Sequence, residues 1–481
     1  MASSEFSPLL HANIERMKLI MGFSSDFIVR ELVISNNRKT AIFYLDGMVD
    51  KNELQSGVIT ALLDRTPLDS VNLNVLREHV LDAGEVTPIR TVDAALEQIF
   101  SGSLLIMLDG EPEGLVVAMP GWEDRSITES KTQSVVRGPQ DSFTETLRTN
   151  TTLVRRRVKD KRIRLITLKV GKMTKTDVAV MYMDGLANDK LVRQLIRRLQ
   201  TSKQDRVLEG EYLEEILHEK KQWTIFPTIY NTDRPDTIAA GIMEGKVALF
   251  IDGTPFVIMT PAIFIDFIQS AEDYYQQPLY STLIRLLRYA ALAICLLVPS
   301  AYIALTTFHQ DMLPTQLLLS LAAQREGVPL PAFIEALLME GTFEILREAG
   351  IRMPRTIGQA VSIVGTIVIG QAAVEASIVS AAMVIIVAIT AISSFVIPAY
   401  SMSIPIRIIR FLFMALSASF GIYGLMIGII ILVVHLSHLQ SFGIPYLSPA
   451  APFQANNQND AIFRMPFWRS TQGQTKQDNS S

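Results

Sequence analysis

Residues 355–398, RTIGQAVSIVGTIVIGQAAVEASIVSAAMVIIVAITAISSFVIP, constrain the chain most, because their only interior charge is Glu375. A single helix over this stretch would run about 60 Å at about 1.5 Å per residue, twice the hydrocarbon thickness of a bilayer. The stretch therefore reads as two spans joined by a tight turn near Glu375. Its first half carries Gly358, Gln359, Ser362, Gly365, Thr366, Gly370 and Gln371 and suits contact with protein or water, whereas the β-branched, Ala-rich second half suits lipid.

The rest of the chain divides around that feature. Lys246 is the last lysine before Lys476, and the residues between are strongly apolar, while the first 280 residues intersperse both signs of charge. With 481 residues and a net charge of −4, the chain has room for two or three domains. The expected fold class is α/β plus all-α membrane: two duplicated α/β soluble subdomains followed by a polytopic helical transmembrane domain. The boundaries expected are 1–125 and 171–280 for the subdomains, 126–170 for a linker with a basic segment, 281–448 for four to five membrane elements and 449–481 for a polar tail. Cys295 is the single cysteine, so no intramolecular disulfide and no cysteine-based metal site can form. The N-terminus lacks a basic stretch followed by an uninterrupted apolar core, so no cleavable signal is expected and the soluble half is expected on the cytoplasmic side.

Duplication is visible in the soluble half. Residues 41–63 read as strand, Asp46-Gly47 turn and helix; residues 91–119 read as helix, Gly102 break and a hairpin turning at Asp109-Gly110. The first block returns with Asp184-Gly185, 138 residues on. The second returns with Asp236, Gly245, Asp252-Gly253 and Pro255, 143 residues after Asp93, Gly102, Asp109-Gly110 and Pro112. Four carboxylates after strands could serve catalysis or a metal, but Asp-Gly is also what a tight turn needs, and no His, Cys or second carboxylate stands at ligand spacing. Phosphate-binding loops, nucleophile elbows and HExxH are absent too, so no enzyme, cofactor or metal is expected. Arg155–Arg157, continuing to Arg164, form a basic cluster without aromatic interleaving; a solvated or inter-subunit face competes there with anionic lipid, and nucleic acid is not expected.

In the membrane half, Arg285 and Arg288 precede a first span at Tyr289–Phe308. Leu313–Ala323 is too short to cross as a standard helix, and reads as re-entrant or as lying on the surface. Glu340, Glu344 and Glu348 share one helical face, either a solvated stripe or, in a ring of subunits, an acidic mouth that concentrates cations. Gln359, Ser362, Thr366 and Ala373 fall near one line and are candidates to line a pore; close packing against another helix is the competing use. The last span is expected over Phe411–His435, with Gly421, Gly424 and Gly428 on one side for helix packing, as also proposed for Gly358, Gly365 and Gly370.

Three long stretches carry a family resemblance: VVRGPQDSFTETLRTNTTLVRRR, PLPAFIEALLMEGTFEILREAGIRMPRTIGQAVSIVGTIVIGQAAVEASIVS and SFGIPYLSPAAP. Together they resemble the A-subunit family of bacterial spore germinant receptors, the GerA family, along essentially the whole chain. Gln140-Asp141 departs from the Arg-Glu common there. The resemblance implies an integral protein of the spore inner membrane that works with a transporter-like B subunit and a lipoprotein C subunit. It also implies a response to small-molecule nutrients that triggers germination, and a homo-oligomeric ring with an ion pathway. A solute transporter and a membrane-anchored scaffold without a pore are the alternative readings; only one candidate helix break, without a second copy, argues against the transporter.

Overall fold

The computed structural model describes residues 5–34, 37–64, 72–81, 85–121, 133, 135–218, 224–354, 369–453 and 460–465. It divides into two compact units, Met1–Lys220 with Ile229–Pro261, and Lys221–Thr228 with Ala262–Ser481.

The first unit holds two five-stranded antiparallel sheets. β1 (Phe27–Ile34), β2 (Arg38–Leu45), β3 (Val86–Ile89), β4 (Ser103–Leu108) and β5 (Gly114–Ala118) are ordered β1-β2-β4-β5-β3. β6 (Ile163–Val170), β7 (Thr176–Met183), β8 (Tyr230–Thr232), β9 (Val247–Ile251) and β10 (Val257–Thr260) repeat that order as β6-β7-β9-β10-β8. β4 is apolar without alternation because both of its faces are covered. Leu105 and Met107 join a core with Met17, Phe43, Leu96 and Ile99, while Leu104, Ile106 and Leu108 join one with Ile42, Val58, Leu62 and Leu76.

The four Asp-Gly pairs all sit in turns. Gly47, Gly110, Gly185 and Gly253 all have φ between 79° and 93°, a region where a Cβ is strained. Asp109 Oδ1 accepts the backbone N–H of Leu10 at 3.0 Å, and Asp252 Oδ1 that of Leu147 at 3.1 Å, so each caps the start of a helix from its own copy. Asn13 donates to Ser7 O and Asn150 to Thr144 O, both at 2.6 Å, which repeats a second tie.

The stretch expected as a linker contributes to the second copy. Its helix Leu147–Arg157 and strand β6 are the counterparts of helix Leu10–Ile20 and β1. Asn150, Thr151, Thr152 and Arg155 are buried there, so the polarity that suggests a linker is absorbed by specific bonds. Arg155 Nε donates to Asp26 Oδ2 at 2.8 Å, with the two side chains only 2% and 3% exposed. Its Nη2 donates to Ser24 Oγ, and Ser24 Oγ in turn accepts from Leu165 N–H. Arg157 pairs with Asp141, Arg162 with Asp160 at 2.7 Å, and Arg164 with Asp184 at 2.9 Å. The basic cluster is thus largely matched by carboxylates within the unit, and Asp141 supplies a charge partner where the sequence departs from Arg-Glu.

The second unit is helical: Pro278–Thr307, Thr315–Arg325, Ala332–Arg352, Gly370–Glu375, Ala381–Val396 and Tyr400–His438. Two of these, Pro278–Thr307 and Tyr400–His438, are long and apolar enough to cross a membrane. The turn expected near Glu375 falls at residues 376–380, with Ser377 at φ 55°.

The last helix differs from the single span expected over Phe411–His435. Gly421 sits at φ 61°, ψ −143°, outside helical geometry. A Cβ built on Gly428 would lie 3.1 Å from Phe413 and one on Gly424 2.2 Å from the carbonyl of Leu416. Fifteen residues of straight helix would separate Phe413 from Gly428 by roughly 22 Å, so the chain doubles back at Gly421 into two antiparallel arms. Glycine makes the reversal possible, because a side chain at residue 421 would meet both that φ and His309, 2.6 Å away.

Candidate functional site

Ionisable groups are expensive inside an apolar bundle unless paired, so their positions mark where a helical unit does something besides pack. Helix Ala332–Arg352 carries most of them. Glu335 is fully buried; its Oε2 accepts the N–H of Ser380, at the start of helix Ala381–Val396, at 2.9 Å, and its Oε1 lies 3.6 Å from Arg325 Nε. Five residues on, Glu340 pairs with Arg410 at 2.7 Å, both almost fully buried. One turn further, Glu344 pairs with Arg407 at 2.6 Å and lies 3.5 Å from Arg410. Arg410 Nη1 also reaches within 4.0 Å of Cys295 Sγ on helix Pro278–Thr307. Four helices therefore meet on one ladder of charge, with acids from Ala332–Arg352, arginines from the first arm of the hairpin and from Thr315–Arg325, and Cys295 of Pro278–Thr307 alongside.

This places the acidic candidates. Glu340 and Glu344 face inward onto arginines, and Glu348 is exposed and paired with Arg352 at 2.6 Å. Shared helical spacing puts the three on one face, but the neighbouring helix divides them. Of the pore-lining candidates, Ala373 is 9% exposed in a core with Tyr302, Met339, Met383 and Met414, and Gln359, Ser362 and Thr366 lie outside the described residues. Among the packing glycines, Gly358 and Gly365 lie outside them too, Gly370 is in ordinary contact range of Val384, and Gly421, Gly424 and Gly428 serve the reversal and the contact between its arms.

A second cluster closes the start of the first long helix. Asp273 accepts from Arg285 at 3.0 Å and Arg288 at 2.8 Å. Arg285 also donates to Asp460, 2.9 Å to Oδ1 and 2.7 Å to its carbonyl, and Gln269 reaches the same carbonyl at 2.6 Å. Arg285 and Arg288, expected just ahead of the first span, thus lie within its helix and are buried and neutralised by Asp273 and Asp460. Beside it, Tyr446 of the SFGIPYLSPAAP stretch is fully buried among Phe226, Phe264 and Phe267. His435 shares a hydrogen bond with Thr224 Oγ1 at 3.1 Å, while His438 is exposed. Among the described residues no group of three His, Cys, Asp or Glu could hold a metal ion.

Sequence reasoning did not anticipate Glu335, Asp273, Asp460 or the pairing of Glu340 with Arg410. The available signal was Glu and Arg recurring inside apolar segments, which points to partners in other helices.

Comparison with known proteins gives consistent matches. The family described as Bacillus/Clostridium GerA spore germination protein matches residues 15–475. Spore germination protein KA of Bacillus subtilis (strain 168) is 46% identical over 465 residues, covering 96% of this chain and 85% of that one. Spore germination protein A1 of the same organism is 34% identical, covering 97% and 96%. Spore germination protein GerLA of Bacillus cereus is 36% identical, covering 93% and 91%. A crystal structure of the N-terminal domain of the A subunit of the Bacillus megaterium spore germinant receptor GerK3 is 34% identical, covers 55% of this chain and 99% of that chain, and superposes with a TM-score of 0.44.

Proposed function

This chain belongs to the Bacillus/Clostridium GerA spore germination family, and from that premise we propose that it is the membrane subunit of a germinant receptor whose helices form or gate an ion pathway. In this reading the helical unit crosses the spore inner membrane several times and the α/β unit stays on the cytoplasmic side. The chain acts as a homo-oligomer with a transporter-like B subunit and a lipoprotein C subunit, and relays a small-molecule nutrient signal.

One observation carries the membrane part. The apolar window of Tyr400–His438 has a mean hydropathy of 2.3 yet is only 22% buried, while the arginines of the same segment turn inward onto glutamates. A soluble bundle would do the reverse. The pathway rests on the polar stripe Gln359, Ser362, Thr366 and Ala373. Glu340 and Glu344 contribute to an acidic mouth only in a state that releases them from Arg410 and Arg407.

Recording from the purified chain in planar bilayers tests the pathway. Conductance that Ser362→Leu or Thr366→Leu abolishes with assembly intact supports it. Absence of conductance, or Leu variants that lower protein abundance while cysteines at the same positions stay unreactive after Cys295 is removed, assigns the stripe to helix packing.

A further inference from the structure

The charge ladder does not balance. Arg407 and Arg410 are matched by Glu344 and Glu340. Arg347, on the same helix as those glutamates, has no ion-pair partner among the described residues, and its Nη1 is buried without a hydrogen-bond partner. Its guanidinium lies instead over the Phe395 ring, 5.0 Å from the centroid, and near that of Tyr400 at 6.0 Å. Three guanidinium groups thus stand against two carboxylates, and a half-buried cation with one nitrogen cut off from water is stabilised by an anion at its open side.

The surroundings say which anion. Phe395 and Tyr400 are 65% and 53% exposed, so the site opens outward between two aromatic rings. Ile351, Ile392 and Ile404 each lie about one helical turn from Arg347, Phe395 and Tyr400 respectively, and all three are exposed. The approach to Arg347 is therefore apolar. A free, hydrated phosphate gains nothing from such an approach, whereas a phosphate ester carrying acyl chains satisfies the guanidinium and covers the isoleucines together.

We propose that Arg347, framed by Phe395 and Tyr400, binds the phosphate of an anionic phospholipid. The site rests on the membrane reading above and is independent of whether the chain conducts ions. Arg347 supplies the fork-shaped donor set that a phosphate oxygen pair accepts, and the tyrosine sits where an aromatic belt meets headgroups.

The test is native mass spectrometry of the full chain in detergent, titrated with phosphatidylglycerol, with phosphatidylcholine as the zwitterionic arm and excess inorganic phosphate as competitor. Arg347→Gln should weaken the tightest phosphatidylglycerol site about fivefold and leave phosphatidylcholine binding as it was. Arg352→Gln removes an exposed arginine already paired with Glu348 and should leave both unchanged. Equal unfolding midpoints in lipid-free detergent establish that Arg347→Gln is folded; should it not be, the Phe395→Leu, Tyr400→Leu double variant must show the same selective loss. Unaltered phosphatidylglycerol binding in the folded variant, or an equal loss in Arg352→Gln, overturns the site. Displacement of the lipid by inorganic phosphate overturns the lipid as occupant. Failure of the membrane reading is separately visible, as a chain that does not float with vesicles.

Discussion

The two copies of the α/β plan agree where backbone donors need acceptors and differ where side chains carry charge. Asp109 and Asp252 cap equivalent helices, and Asn13 and Asn150 make equivalent ties. Yet Lys18, in the last turn of helix Leu10–Ile20, makes a loose surface pair with Glu15 at 3.9 Å, whereas its counterpart Arg155 is buried on Asp26 of the first copy. Duplication preserves what each copy needs to fold. The charges diverged where one copy meets the other.

The largest break in that comparison comes from Arg155. In a Met1–Pro261 fragment, Arg155→Ala should cost about 3–5 kcal/mol because it strands the buried Asp26 carboxylate, while Lys18→Ala should stay within about 0.5 kcal/mol. Urea unfolding reads both, and similar losses would sink the distinction.

A smaller asymmetry is expected at the paired glycines. Gly185→Ala meets only its φ of 79°, since nothing lies within 4 Å of the added carbon, and should cost about 1–2 kcal/mol. Gly47→Ala meets the same strain and also Thr152 Oγ1 at 2.3 Å, so its midpoint should drop further. Equal midpoints would show that Thr152 moves aside freely.

Asp109→Ala and Asp252→Ala sharpen the likeness instead. Each should cost about 1 kcal/mol, and the two should agree within about 0.5 kcal/mol; a wide gap would mean that the caps are equivalent in geometry alone.

The last effect depends on pH. Glu214, half-buried in the second copy, accepts from Asn231 at 3.3 Å. Burial, then the nearby Glu211, push its carboxyl up from an ordinary value of 4.5 to about 8. The native state therefore holds a proton that the unfolded chain releases, so stability should fall as pH rises from 4.5 towards about 8. Glu214→Gln should flatten that slope, seen as a urea midpoint that gains more at pH about 8.5 than at about 5; an unaltered slope would assign it to other groups.

Features set by a few adjacent residues were legible in the sequence. The Asp-Gly turns, the β4–β5 hairpin and the repeat follow from glycine's backbone freedom and from apolar runs of strand length. Helix Leu147–Arg157 was not, since its buried Asn, Thr and Arg are secured by partners far along the chain. Nor was the reversal at Gly421: in an apolar run, a glycine that lets helices approach and one that ends a helix look alike until a neighbour is known. Helical spacing groups Glu340 with Glu344 and Glu348 on one face. Which helix faces that row is tertiary information, and Arg407 and Arg410 supply it.

The turn at Gly421 also fixes a parity. A straight helix would carry His438 about 25 Å beyond that glycine; the folded one returns it, so that His435 meets Thr224 and Tyr446 meets Phe264. Asp460 then reaches Arg285, at the start of the first long helix. In a bilayer each traverse would exchange one face for the other, so two groups in contact at one face, as Arg285 and Asp460 are, would have an even number of traverses between them, and the reversal would supply one of these. In a membrane, the described C-terminal residues and the stretch 262–277 leading into the first helix would share one aqueous compartment, open to the same ions, enzymes and partner proteins.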